Sequence, residues 1–159
     1  MTQNYFQENI TRPIGFVSSP YKTPKQAWEA CEKGLETKTL SKIKIKDEFI
    51  KGLKGLENFS HIFVIYYLHQ AERIEMETHP GPETIKDLPK VGVFASRSQY
   101  RPNHLALRLV KLERIEGKDI YVKGLDAIDG SPVIDIKPYI KGFDRPKSFK
   151  QAEWYEWLK

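Results

Sequence analysis

Two polar runs, each set between apolar stretches, hold the residues best suited to binding chemistry. The first gathers Arg97, Ser98, Tyr100, Arg101 and Asn103, and the second gathers Asp126, Asp129, Gly130 and Ser131. A fold that brings two such turns together makes a polar pocket on a rigid frame, where binding groups commonly sit. Other routes to chemistry are poorly served. No G-x-G-x-x-G or Walker-type phosphate loop is present, so a Rossmann nucleotide site is unsupported. His61, His69, His79 and His104 lack the spacing of a metal site, and Cys31 is the only cysteine. Ser, His and Asp all occur, but without a nucleophile elbow.

The elements that must position these runs are mostly short strands. Residues 14–17 read as a strand ended by Ser18-Ser19-Pro20. Thr23, Pro24 and Gln26 form the start of a helix over 24–33, with Gln26 placed to close a capping box and Gly34 as C-cap. Residues 40–45 read as a strand whose SKIKIK alternation gives one apolar and one basic face. Residues 61–68 read as a central strand buried on both faces. Residues 78–90, with Pro80, Pro82 and Pro89, read as a long irregular loop, and 91–96 as another strand. In 105–115, Leu105, Leu107 and Leu109 share one face while Val110 and Leu112 lie on the other, which predicts a bulge or a strand changing sides. A turn at 116–119 leads into a strand over 120–125, and 133–136 is a last short strand. The pattern predicts a mostly antiparallel β-barrel with one or two short helices. In the tail, Trp154, Trp157 and Leu158 stand at helical spacing.

Bulk properties set the class. A chain of 159 residues with 40% hydrophobic content suits one domain, read here as a core at about 12–145 and an aromatic tail at 146–159. Its longest apolar run, 62–68, is too short to cross a membrane, and the N-terminus lacks a signal pattern, so no membrane partner is expected. One cysteine allows no internal disulfide and fits the cytoplasm. The balance of 26 basic to 21 acidic residues, net +5, permits a polyanionic partner without requiring one.

The sequence also resembles a family. GVFASRS at 92–98, RPN at 101–103 and the DAIDGSPVIDIKPY run at 126–139 match the TsaA-like pattern. IGFVSSPYK at 14–22, PKQ at 24–26 and GLKGLENFSHIFVIYYLHQ at 52–70 match it in the same order. The resemblance covers roughly residues 14–140, and motifs in register are a stronger signal than any one of them.

The resemblance implies an S-adenosylmethionine-dependent methyltransferase that acts on N6 of threonylcarbamoyl-adenosine beside the tRNA anticodon. It implies a homodimer with cofactor sites near the subunit interface, and no metal. Carried over residue by residue, the cofactor contacts are Pro24, Lys25, Gln26, His69, Gln70, Arg97, Leu107, Lys123, Gly124, Leu125 and Asp126. Asp126 would accept from hydroxyls or an ammonium, Arg97 would hold a carboxylate bidentately, Leu107 would cover a ring face, and the 124–125 backbone would reach the adenine edge. Bland roles compete: His69 as a strand-end histidine, and Arg97 and Arg101 as ion-pair partners of Asp129 and Asp135. The sequence departs from the family at His104-Leu105-Ala106-Leu107-Arg108, where Pro-Ile-Gly-Leu-Ser is usual. Two alternatives stand beside the tRNA enzyme: a non-catalytic S-adenosylmethionine-binding protein, and a small-molecule methyltransferase on the same barrel. For a tRNA enzyme, Lys42, Lys44, Lys46, Arg101, Arg108, Lys141 and Arg145 are the candidate phosphate contacts around the cofactor mouth.

Overall fold

The computed structural model of the chain describes residues 11–81 and 85–157; Pro82 and Leu158, named above, lie outside the described residues. In chain order the elements are β1 (Gly15–Ser18), α1 (Pro24–Glu32), β2 (Leu40–Ile45), β3 (His61–Tyr67), β4 (Glu77–Thr78), β5 (Val91–Gly92), β6 (Leu105–Glu116), β7 (Asp119–Lys123), β8 (Pro132–Pro138) and α2 (Lys141–Asp144). Six of them close an antiparallel barrel in the order β1-β2-β7-β6-β3-β8, and β4 and β5 form a separate small ribbon. The expected barrel with short helices is the fold.

Alternation builds the barrel wall. In β2, Ser41, Ile43 and Ile45 are buried while Lys44 is exposed, so the basic face of SKIKIK points outward as expected. Ile43, Ile45, Ile62, Val64, Val110, Leu112, Ile120, Val122 and Val133 fill the interior. β1 lies so close to β2 that a Cβ on Gly15 would stand 2.5 Å from the Lys44 carbonyl oxygen, which restricts the position to glycine. Phe49, Leu53 and Leu56, from two 3-10 segments after β2, pack on the core at one end. Leu125, Ala127, Leu68 and Ala106 belong to the same core at the other end, where β7 and β3 finish and β6 begins.

Four expectations change. Residues 91–96 are not one strand: β5 has two residues, and Val93–Ala95 is a 3-10 turn whose Ser96 N–H closes on the Val93 carbonyl. β3 is not buried on both faces; its pattern alternates, with His61 and Tyr67 exposed, because barrel closure leaves an outer face. In β6 the apolar phase slip is not the bulge. Leu105, Leu107 and Leu109 lie outside, 39%, 49% and 42% exposed, while Val110 and Leu112 lie inside. The register shift falls between Leu112 and Arg114, at Glu113. The tail forms a 3-10 turn at Glu153–Trp157, with the Trp154 and Tyr155 rings 4.2 Å apart and the Tyr155 hydroxyl donating to the Ala95 carbonyl.

Candidate functional site

The first layer of the site is a set of turns gathered at the barrel end where β1, β3 and β7 finish. Thr23 caps α1 by accepting from the Gln26 N–H, and Pro24 fills the first turn. The Gln26 side chain reaches back, its Oε1 accepting from the Lys22 N–H at 2.7 Å. From the end of β3, Gln70 Nε2 donates to the Lys22 carbonyl at 3.4 Å. The 24–26 and 69–70 motifs, far apart in sequence, therefore meet on the backbone of one residue, Lys22. Asp129 joins this wall by accepting from the Ser19 N–H and pairing with Lys22 at 2.8 Å. The hydrogen bond from Lys22 leads, and that from Ser19 follows, in holding the Asp129 carboxyl below its usual range.

Beneath that wall lies a network that the sequence did not announce. Arg108 points into the barrel, on the same side of β6 as Val110. Its Nε donates to the Gly124 carbonyl at 3.0 Å, one Nη to Glu36 Oε1 at 3.2 Å, and the other stands 3.6 Å from Asp126 Oδ2. Glu36, in the loop after α1, is 6% exposed, and its backbone carbonyl accepts from the Gly124 N–H. The buried Glu36 Oε2 has no hydrogen-bond partner among the described residues. The Tyr66 hydroxyl donates to Asp126 Oδ1 at 2.8 Å, and the Cys31 thiol lies 3.9 Å from Oδ2. Burial first, and the Asp126 charge second, push the Cys31 thiol up to about 12 and the Tyr66 phenol well above its ordinary value. Both groups are neutral donors at neutral pH.

The other expected site residues are placed as follows. The Gly124 N–H donates to the Glu36 carbonyl, and its carbonyl accepts from Arg108. Gly124 has φ +93°, which lets the chain leave β7 and turn toward Asp126. Leu125 is fully buried in the core, and Lys123 pairs with Glu113 at 3.8 Å. Leu107 is on the outer wall, on the opposite face of β6 from Arg108. His69, Lys25 and Arg97 are exposed; Lys25 faces Glu29 at 3.9 Å, while Arg97 has no partner among the described residues. Arg97 and Arg101 do not pair with Asp129 or Asp135. Arg101 instead donates to the carbonyls of Val93, Ser96 and Ser98 and fixes that turn. His104 has φ +43°, which a proline cannot adopt, so the departure from the family pattern there carries its own backbone shape.

Of the candidate phosphate contacts, Lys42 stands opposite Ser18 and pairs with Asp119 at 3.5 Å, while the others do not gather at this mouth. Arg108 is inside, and Arg101 is occupied by carbonyls. Lys46, Lys141 and Arg145 follow the far ends of β2 and β8, and Lys44 lies near that end. A shallow cleft of about 340 Å³ there is lined by Phe16, Lys44, Ile45, Lys46, Asp47 and Lys118. Lys22, Lys25, Lys33 and Lys38, on or beside α1, are exposed bases near the site end. Among the described residues, no three His, Cys, Asp or Glu side chains converge as a metal site, and no helix is long and apolar enough to cross a membrane.

Residues 16–145 match the model of the tRNA-methyltransferase O N-terminal domain. The chain belongs to the tRNA-methyltransferase O family. It is 45% identical over 133 residues to a probable S-adenosyl-L-methionine-binding protein of Methanothermobacter thermautotrophicus, covering 84% of this chain and 91% of that protein. It is 36% identical over 143 residues to the human tRNA (adenine(37)-N6)-methyltransferase, covering 87% of this chain but 32% of that enzyme. Among solved structures, TrmO from Pseudomonas aeruginosa superposes with a TM-score of 0.69 at 28% identity, over 90% of this chain and 61% of that one. The chain thus spans nearly all of its archaeal relative, about a third of the human one and about three fifths of the bacterial structure. The network of Glu36, Tyr66 and Arg108 lies within the residues of the family match.

Proposed function

We propose that this protein is an S-adenosylmethionine-dependent methyltransferase acting on tRNA, with N6 of the threonylcarbamoyl-adenosine beside the anticodon as acceptor. The observation that carries this reading is the meeting of the Gln26, Gln70 and Asp126 turns at one end of a barrel of this family. The donor set fits the cofactor. Asp126 is a carboxylate with 27% of its side chain exposed, suited to hydroxyls or an ammonium, and Arg97 is a free guanidinium suited to a carboxylate. When bound, S-adenosylmethionine supplies an electrophilic methyl on a sulfonium that leaves as a neutral thioether. The protein's part is alignment, and rigid turns on a closed barrel deliver it without acid–base assistance. The acceptor nitrogen gives its proton to solvent as the methyl arrives.

A twofold dimer belongs to the same proposal. Leu105, Leu107 and Leu109 stand opposite Tyr67, Ile65 and Phe63 on the outer wall, an apolar face that association would bury. Leu107 then contacts a cofactor only where that face meets a second chain. Light scattering at tens of micromolar should give twice the 18.5 kDa of one chain, and the single-chain mass would reject the dimer. We place the protein in the cytoplasm, where its tRNA is.

Labelled cofactor incubated with total tRNA, read by nucleoside mass spectrometry, should mark threonylcarbamoyl-adenosine. With tRNA docked on the site end, Lys33→Glu with Lys38→Glu should weaken tRNA binding and flatten its salt dependence, while Lys44→Glu with Lys46→Glu should not. One observation favours a second reading. Arg108 stands against Asp126, as a residue filling a disused site does. Cofactor binding with no labelled nucleoside would support that non-catalytic protein instead.

A further inference from the structure

The network at the site end has a charge count that follows from its geometry. Arg108 contributes one positive charge, and Glu36 and Asp126 one negative charge each. Tyr66 and Cys31 add none, since both are neutral donors to Asp126. Close by, Lys22 pairs with Asp129, Lys25 with Glu29, and Lys123 with Glu113. Within the network the arginine is not shared evenly. Its contacts to the Gly124 carbonyl and Glu36 are 3.0 and 3.2 Å, while Asp126 stands at 3.6 Å. Glu36 is also the more buried carboxylate, 8% against 27% side-chain exposure. The buried pair is therefore Arg108 with Glu36, and Asp126 is the carboxylate that keeps a solvent-facing surface.

That arrangement answers a problem set by Arg108 itself. An arginine beside a carboxylate cancels the charge on which that carboxylate would hold a cation. We infer that Glu36 neutralises Arg108 so that Asp126 keeps its negative charge, and that this pair biases the site toward a cationic sulfonium ligand over its neutral thioether product. Glu36 and Arg108 are positioning residues, acting through Asp126 rather than on the ligand. The bias has a use in turnover: methyl transfer removes the charge at sulfur, so the same field that favours the cofactor releases the product. The inference rests on the S-adenosylmethionine reading of the site.

The test is the ratio of two affinities, not either one alone. Calorimetric titrations with S-adenosylmethionine and with S-adenosylhomocysteine would be run on the wild type, Glu36→Gln, Arg108→Met and the double variant. The net charge of the network is −1 in the wild type, 0 in Glu36→Gln, −2 in Arg108→Met and −1 in the double variant. Glu36→Gln should shift the ratio about tenfold against the sulfonium, the scale set by one unit charge within roughly 10 Å at an effective dielectric near 20. Arg108→Met should shift it a similar factor the other way, and the double variant should return it near wild type. Loosened packing alone weakens both ligands together, so an unchanged ratio in the folded variants overturns the inference. Should one single variant fail to fold, the other is still expected to shift the ratio about tenfold from wild type and the double variant to leave it near wild type. A wild type that binds neither ligand overturns the cofactor reading itself, a separate result from an unmoved ratio.

Discussion

The two ends of the barrel use the same kinds of charged residue in opposite ways. At the far end, Lys118 Nζ and Asp47 Oδ1 pair at 2.5 Å with 36% and 79% of their side chains exposed. At the site end, Arg108 and Glu36 pair at 3.2 Å with 32% and 8% exposed, tied to Gly124, Asp126 and Tyr66. The far pair is the shorter, yet water competes for both partners, and such pairs contribute little. The site pair is longer, but its members have few alternatives to one another. What distinguishes the ends is burial and connection rather than distance.

The largest expected effect tests that contrast directly. Arg108→Ala removes the only charge that offsets Glu36 and Asp126, and leaves the Gly124 carbonyl without its donor. Breaking a buried pair in this way costs about 3 kcal/mol. Urea unfolding should show the midpoint fall with little change in slope. Pairing Arg108→Ala with Glu36→Gln should recover part of the loss, because one stranded charge is gone. A loss as large in the double variant as in the single one would show that the arginine acts through packing and its Gly124 hydrogen bond rather than by offsetting Glu36.

The sequence made the frame legible and hid the network for identifiable reasons. Period-two patterning gave β2 with its basic outer face, and capping chemistry gave α1 at Thr23-Pro24-Gln26. The motifs at 24–26 and 69–70 do meet at Lys22, although nothing in their spacing says that they should. Arg108 was readable: it shares its parity with Val110 and Leu112, and a charged residue on the inward face signals a polar interior. The row Leu105, Leu107 and Leu109 masked that parity, since three leucines suggest the inner face more strongly than one arginine suggests the outer. Glu36 carried no such signal. It sits in a loop without periodicity, and only closure of the barrel sets it beside Gly124. The 91–96 stretch looked like a strand because Val91, Val93 and Phe94 favour one; Arg101 bonding to the Val93 and Ser96 carbonyls stabilises the turn that forms there instead.

A smaller effect separates the ends by pH. At the site end, the Cys31 and Tyr66 acidities are both raised by burial first and by Asp126 next. A raised value in the folded state means that the stability tied to these protons is fully present below the unfolded value, 9.0 for Cys31, and is lost as pH climbs toward about 12. Cys31 is only partly buried, so the loss by pH 10 should be about 1 kcal/mol or less after allowance for solvent. Melting temperatures from pH 7 to 11 should fall, and Cys31→Ala should flatten the fall. The far end should behave conversely. The hydrogen bond from Lys118 leads in lowering the Asp47 carboxyl, so its contribution is present above the ordinary value of 3.8 and is lost in acid.

The smallest expected effect is at that far pair. Lys118→Ala deletes a 2.5 Å contact, as short as any ion pair among the described residues, and strands no buried charge, because Asp47 remains in water. Its melting temperature in moderate salt should match the wild type within error, and any difference at low salt should vanish as screening shortens the reach of the charge. Lys118 also lines the cleft with Phe16, Lys44 and Lys46, so the same variant reports on that end's part in tRNA binding. With the site at the other end of β2, some 17 Å away at about 3.3 Å per residue, tRNA affinity should not change. A fall in stability comparable to that of Arg108→Ala would mean that pair distance, and not burial with connection, ranks the charged contacts of this barrel.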